Sequence, residues 1–194
     1  MNLAIFASGN GTNARNIIEY FVDHSFIKVK LIVCNVPTAG VIKIAENYNI
    51  ESIIINRKQF YESQELLDKL KAKGINFIVL AGFLWLLPPY LIHSYARAII
   101  NIHPSLLPKY GGKGMFGHFV HDAVFEAQDN ETGITIHYVN ERYDEGDIIL
   151  QAKCNIDEND NVEDIQLKVQ KLEHEFFPII IEKLVSNIKQ QAEN

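Results

Sequence analysis

The chain has 194 residues, 47% hydrophobic and 22% charged, with a formal net charge of -6 at pH 7. That length fits one domain able to bury roughly 70% of its unfolded surface, so no disulfide or metal staple is needed. The acidic balance excludes a binder of phosphate backbones, which would carry a basic face; no nucleic-acid partner is expected, although a local pocket for one phosphate is compatible with it.

The start of the chain, Met1-Asn2-Leu3-Ala4-Ile5, lacks the basic and long apolar regions of a secretory signal, and the protein is expected in the cytoplasm. Short apolar runs then recur: Leu3 to Ala7, Val29 to Cys34, Ser52 to Ile55, Phe77 to Ala81 and Ile99 to Ile102. They are continuous rather than alternating, as in strands covered on both faces. Between them lie helical spacings. Ala14, Ile17, Ile18, Phe21 and Val22 mark one face; Val41, Ile42, Ala45 and Tyr48 a second; Phe60, Leu66, Leu67 and Leu70 a third helix, which Gly74 would end. Strand and helix alternate at about 24 residues per unit, the rhythm of right-handed βαβ crossovers. The apolar run Phe77 to Leu87 is too short to span a bilayer and ends at Pro88-Pro89, so no membrane partner is expected.

After Ile102 the rhythm changes. Residues 103–117 read as a glycine-rich loop, followed by a helix at about 118–128. Ile134 to Val139 and Asp147 to Lys153 read as two strands at the sheet edge, at least one of them antiparallel. Asn161 to Lys189 reads as a long amphipathic helix interrupted at Pro178. The predicted fold is α/β: an open, mostly parallel Rossmann-like sheet with helices on both faces and an antiparallel edge element. Residues 1–194 are expected to form one domain, with residues 1–100 a parallel βαβ half and residues 101–194 a second half that carries the edge strands. Cys34 and Cys154, in apolar stretches and without CxxC or zinc-like spacing, read as free thiols, and the pair His118 and His121 completes no ligand set, so no metal is expected.

Two segments carry chemistry. Ser8-Gly9-Asn10-Gly11-Thr12-Asn13-Ala14 joins the first strand to the first helix, and its glycines let backbone N–H groups and the positive helix end face an anion. The pattern approaches the dinucleotide fingerprint, but the second strand ends Val33-Cys34-Asn35 without the carboxylate that would hold a ribose. A phosphate cradle is favoured over a nucleotide-cofactor site, with a ligand-free turn as the plain alternative. The second segment, Asn101-Ile102-His103-Pro104, runs off the fifth strand, where open α/β sheets bind ligands. Asn101 and His103, two apart on an extended chain, share a face. A carboxamide that donates to an oxyanion beside an imidazole that handles protons is the equipment of acyl transfer. Asp144, between the two edge strands, is placed to orient His103 and favour its protonated form; Asp147 reads as a strand-start cap. His137, on an edge strand, reads as a structural hydrogen-bonder at least as readily as a catalyst.

Taken together, Ser8 to Asn13, Ala81-Gly82-Phe83, Asn101-x-His103-Pro104-Ser105-Leu106-Leu107-Pro108, Thr132-Gly133-x-Thr135-x-His137 and Asp144-x-Gly146-x-Ile148 resemble the formyltransferase superfamily, from residue 3 to about residue 185. Within it they resemble the enzymes whose acceptor is glycinamide ribonucleotide. The resemblance implies direct transfer from 10-formyltetrahydrofolate, a co-substrate, through a tetrahedral intermediate and without metal. It implies catalysis by Asn101, His103 and Asp144, phosphate binding by Gly11, Thr12 and Asn13, and a ribonucleotide contact at Glu173, so that residues 1–100 would be the phosphate-binding half and residues 101–194 the catalytic and folate-binding half. The folate would lie against Phe83, Leu84, Trp85 and Leu86 on one side and Tyr138, Val139 and Asn140 on the other. Trp85 stands where some members carry an arginine. The stretch from Gly111 to His121, with four glycines, exceeds the loop of many members and suggests a mobile flap, with simple slack as the alternative. Superfamily members that formylate methionyl-tRNA carry a further C-terminal domain, and the deformylases a further N-terminal one, so neither fits; a sugar-nucleotide formyltransferase is separated from the glycinamide reading by the phosphate loop. The oligomeric state, monomer or homodimer, is left open, and a non-enzymatic folate- or nucleotide-binding protein would not retain all three catalytic groups.

Overall fold

A computed structural model describes residues 1–193; Asn194, the last residue of the predicted domain, lies outside the described residues. Five parallel strands, β1 (Asn2–Ala7), β2 (Lys28–Cys34), β3 (Glu51–Ile54), β4 (Ile75–Leu80) and β5 (Ile99–His103), are joined by α1 (Thr12–Phe21), α2 (Gly40–Asn47), α3 (Arg57–Glu62), α4 (Glu65–Ala72) and α5 (Pro89–Ser94). Then come α6 (His118–Glu126), β6 (Glu131–Tyr138), β7 (Ile148–Asn155) and α7 (Val162–Glu193). The sheet order is β3-β2-β1-β4-β5-β6-β7, with β6 antiparallel to β5 and β7 antiparallel to β6.

The continuous apolar strands are sandwiched, as their sequence requires. Along β1, Leu3, Ile5 and Ala7 face one core with Ile17, Phe21, Val41, Ile44, Phe177 and Ile181. Ala4 and Phe6 face the other, with Phe60, Leu66, Leu70, Leu91 and Tyr95. The alternation is that of a strand whose successive side chains leave opposite faces.

Three elements differ from the predicted ones. The third helix is two, because Ser63 turns extended (φ -135, ψ 164) between α3 and α4; its hydroxyl donates to the Gln59 carbonyl and accepts from the Glu65 N–H. The short α5 is an addition: Pro89 occupies the first turn, where a missing N–H is tolerated. Third, α7 runs through Pro178 without interruption. Pro178 lacks the N–H that would pair with the carbonyl four residues back, on His174, and Asn16 Nδ2 of α1 donates to that carbonyl at 2.8 Å instead. A neighbouring helix repairs the break.

The chain reverses its direction of strand addition between β1 and β4, which lie side by side although β2 and β3 intervene in sequence. Crevices open at the carboxyl ends of strands at such a switch point. The loops leaving β1, β4 and β5 all emerge there.

Candidate active site

A cavity of about 610 Å³ occupies that crevice, in the size range of small-molecule sites. Its walls include residues 8–13 after β1, Ala81 to Leu84 after β4, Asn101 to Pro104 at the end of β5, Asp144, and Glu173 of α7.

The glycine loop after β1 is built by packing. Gly11 adopts φ +76, and a Cβ there would come within 2.9 Å of Val41 and Ile44 of α2, so only glycine fits. Gly9 has open space beside it and is not demanded by sterics. The Ser8 N–H donates to the Gly82 carbonyl at 3.0 Å, and Ser8 Oγ accepts from the Leu84 N–H at 3.0 Å, tying the loop to the turn after β4. Gly11 is the N-cap of α1 and no side chain caps the helix, which leaves its first-turn N–H groups and positive end directed at the cavity. Asn13 Nδ2 donates to Glu173 Oε2 at 2.9 Å. Burial raises the Glu173 carboxyl to about 7, with the Asn13 hydrogen bond opposing the rise.

Asn101, His103 and Asp144, remote in sequence, converge on this cavity. The Asn101 carboxamide donates to His137 Nε2 at 3.1 Å and to Asp144 Oδ1 at 3.3 Å. His137 is itself fixed by donating from Nδ1 to the Tyr138 carbonyl at 2.8 Å, which makes Nε2 the acceptor in the neutral ring. His103 Nε2–H donates to the Tyr110 carbonyl at 2.7 Å, turning Nδ1 toward Asp144 Oδ2 at 3.5 Å. The second Asp144 oxygen also accepts from the Gly112 N–H at 2.9 Å. Burial is the largest influence on His103 and pushes the imidazole below its usual range, against the opposing pull of Asp144 and the Tyr110 carbonyl. The expectation that Asp144 favours protonated His103 therefore holds for the pairwise attraction, while desolvation sets the net direction. For Asp144, burial favours the neutral acid, but His137, His103 and the Gly112 N–H together outweigh it and hold the carboxyl below the usual carboxylate range.

The motif positions around these groups have mechanical reasons. Thr135 Oγ1 donates to the Ser105 carbonyl and accepts from the Leu107 N–H and Gln151 Nε2, pinning the loop that carries Tyr110. A Cβ at Gly133 would lie 2.0 Å from the Ala152 carbonyl oxygen, and one at Gly146 1.7 Å from that of Tyr138. The segment between β6 and β7 thus folds tightly back beside His137 and delivers Asp144. Among the described residues, two of the five non-glycine residues with positive φ, Tyr110 (57) and Asp144 (56), are partners of His103. Such left-handed backbone costs on the order of 1–3 kcal/mol each and persists only when surroundings over-determine it.

Of the predicted folate residues, Phe83 and Leu84 line the cavity. The Leu86 N–H donates to the Tyr143 hydroxyl at 3.2 Å. Trp85 lies outside the lining, 5.6 Å from the Phe60 ring and with the Arg57 guanidinium 5.4 Å from its own centroid. Tyr138, Val139 and Asn140 likewise lie outside the lining: the Arg97 guanidinium sits 4.4 Å from the Tyr138 ring, Val139 N–H donates to the Ile99 carbonyl, and Asn140 Oδ1 accepts from the Arg142 N–H. Asp147 pairs with Arg97 at 3.1 Å. Arg57, Lys113, Tyr143 and His121 line the cavity without having been singled out as binding groups. Only the glycine-rich context of Lys113 and the histidine spacing of His121 drew notice in sequence; nothing marked Arg57. Among the described residues, no group of three or more His, Cys, Asp or Glu is arranged to hold a metal ion, and no helix is long and apolar enough to cross a membrane.

A switch-point cavity that joins a glycine loop at a helix N-terminus to a carboxamide, an imidazole and a carboxylate holds the kinds of side chain that group transfer uses. A sequence model of the formyl transferase family matches residues 1–181, and the chain belongs to that family. Phosphoribosylglycinamide formyltransferase of Bacillus subtilis is 37% identical over 187 residues, covering 94% of this chain and 93% of that protein. The Escherichia coli protein of the same name is 34% identical over 189 residues, covering 93% and 85%. A crystal structure of phosphoribosylglycinamide formyltransferase from Bacillus halodurans superposes with a TM-score of 0.85 at 36% identity, covering 96% of each chain.

Proposed function

We propose that this protein transfers the formyl group of 10-formyltetrahydrofolate to the amine of glycinamide ribonucleotide, a step of de novo purine biosynthesis, acting as a single cytoplasmic domain on small molecules. The observation that carries the reading is the meeting of Asn101, His103 and Asp144 beside the Gly11–Asn13 loop in one cavity. The N-terminal half supplies the anion loop and the C-terminal half the reacting groups.

In this reading the substrate phosphate takes the backbone N–H groups of Gly11, Thr12 and Asn13, and Glu173 borders the ribose. The amine attacks the formyl carbon, and negative charge develops on the formyl oxygen. Both Asn101 Nδ2 hydrogens are engaged in the structure; the longer contact, 3.3 Å to Asp144, is the one the oxyanion takes over. A donor so placed contributes about 2.7–4 kcal/mol to the transition state. His103 Nδ1, facing Asp144, holds the proton lost by the attacking amine, and N10 of the folate recovers one as the carbon–N10 bond breaks. The products are the formylated amide and tetrahydrofolate, with no covalent enzyme intermediate. The pterin lies against Phe83 and Leu84, with Trp85, Leu86, Tyr138, Val139 and Asn140 shaping the surrounding backbone.

Steady-state release of tetrahydrofolate, measured with each candidate amine, tests the reading. Turnover with glycinamide ribonucleotide is expected. Turnover with an amino sugar nucleotide and none with glycinamide ribonucleotide would overturn it.

A further inference from the structure

We infer that Lys113, on the glycine flap, is the counter-cation of the acceptor's phosphate and closes the flap on that substrate; this rests on the function proposed above. The anion loop supplies backbone N–H groups and a helix end worth about half a positive charge, against a phosphate carrying between one and two negative charges. No basic side chain stands in the loop itself, Ser8 to Asn13. Among the side chains lining the cavity, the fully charged cations are Arg57 and Lys113. Arg57 sits against the Trp85 ring. Lys113 is exposed and has no hydrogen-bond or ion-pair partner among the described residues. The nearby acids are already engaged: Asp144 by Asn101 and Gly112, Glu173 by Asn13. His103 and His121 are biased toward the neutral form by burial, His121 down to about 4, so neither supplies the missing charge.

The backbone around Lys113 suits a moving arm. Gly112, Gly114 and Gly117 adopt φ of +96, +93 and +54, and no atom lies within 4 Å of where a Cβ would stand. The flap is left-handed without being packed, so these glycines serve conformational freedom rather than close approach. Its root is fixed, because the Gly112 N–H donates to Asp144 Oδ2 at 2.9 Å. Capture of phosphate by Lys113 therefore draws in a segment whose next residue back holds the catalytic carboxylate. Lys113 acts as a binding and positioning residue, and phosphorylated acceptors are selected by it.

The test compares wild type, Lys113→Met and Lys113→Arg with two acceptors, glycinamide ribonucleotide and the same molecule lacking its phosphate. With the ribonucleotide, Lys113→Met should raise the acceptor KM roughly ten- to hundredfold, the scale of one charge-assisted hydrogen bond. The KM for the folate should stay within about twofold, and Lys113→Arg should restore most of the loss. With the dephosphorylated acceptor, Lys113→Met should change little. Equal losses with both acceptors, or a rise confined to the folate KM, would overturn the inference. If wild type fails to turn over glycinamide ribonucleotide, the proposed acceptor is wrong, and titration of inorganic phosphate into wild type and Lys113→Met by calorimetry still decides on Lys113: weaker binding by the variant supports it, equal binding refutes it.

Discussion

The Glu173 carboxyl, on α7 and hydrogen-bonded to Asn13 of the glycine loop, offers a test of the local electrostatics that needs no substrate. Its folded-state value near 7, raised by burial, compares with an ordinary 4.5. Between those limits the folded protein keeps a proton that the unfolded chain releases, so stability falls as pH rises through this window and levels off above about 8. The full shift corresponds to about 3 kcal/mol at most. The side chain is only partly covered and borders the cavity, so water screens part of it, and about 1–3 kcal/mol is the expected range. Glu173→Gln mimics the protonated acid and still accepts from Asn13 Nδ2. Urea unfolding at pH 5, 6, 7 and 8, at constant ionic strength, should find the variant and wild type nearly equal at pH 5. The variant should be increasingly the more stable toward pH 8. A difference that is constant with pH, or that grows toward acid, refutes the argument.

Other perturbations test the remaining parts of the structure. Asp144→Asn should lower kcat by about 10²–10⁴, since it removes the charge facing His103 Nδ1 at 3.5 Å; a rate near wild type would eliminate the proton-holding pair. Gly146→Ala places a methyl 1.7 Å from the Tyr138 carbonyl oxygen, so the Asp144 turn must shift, and the melting temperature and kcat should fall together; unchanged values of both would contradict the packing account. Asn16→Ala strands the His174 carbonyl and should cost about 1–2 kcal/mol. In a Pro178→Ala background the helix supplies its own N–H, so the same change should cost at most half as much. Equal costs in the two backgrounds would show that Asn16 does not repair the helix.

The parallel half of the sheet was legible because buried strands and amphipathic helices write different periods into sequence. The limits of β1, β2 and β5 lie within a residue or so of the apolar runs that announce them. What escaped depended on single hydrogen bonds. Phe60 and Leu66 to Leu70 share a core, and their apolar spacing alone cannot register that Ser63 turns the chain between them. Pro178 reads as a break until Asn16, 162 positions earlier, is seen to satisfy the freed carbonyl. In the site, Asn101 and His103 could be paired from strand geometry alone, but His137 could not be placed. Its alternation on an edge strand says which face it occupies and nothing of what lies opposite.

That missing piece is a register. β6 runs antiparallel to β5 with His137 opposite Asn101 and Thr135 opposite His103. Each of the two side chains proposed as catalytic thus has a cross-strand neighbour that serves it: His137 takes a hydrogen bond from the Asn101 carboxamide, and Thr135 pins the loop whose Tyr110 carbonyl accepts a hydrogen bond from His103. A slip of one residue would send both partners to the opposite face and free Asn101 and His103 together. Gly133 fixes the register on the other side of β6, because a residue with a Cβ in its place would lie 2.0 Å from the Ala152 carbonyl oxygen of β7. The antiparallel edge is therefore more than a cover for the sheet. It converts a chain direction into an alignment of four polar side chains, on which the left-handed Tyr110 and Asp144 depend for their own strained conformations.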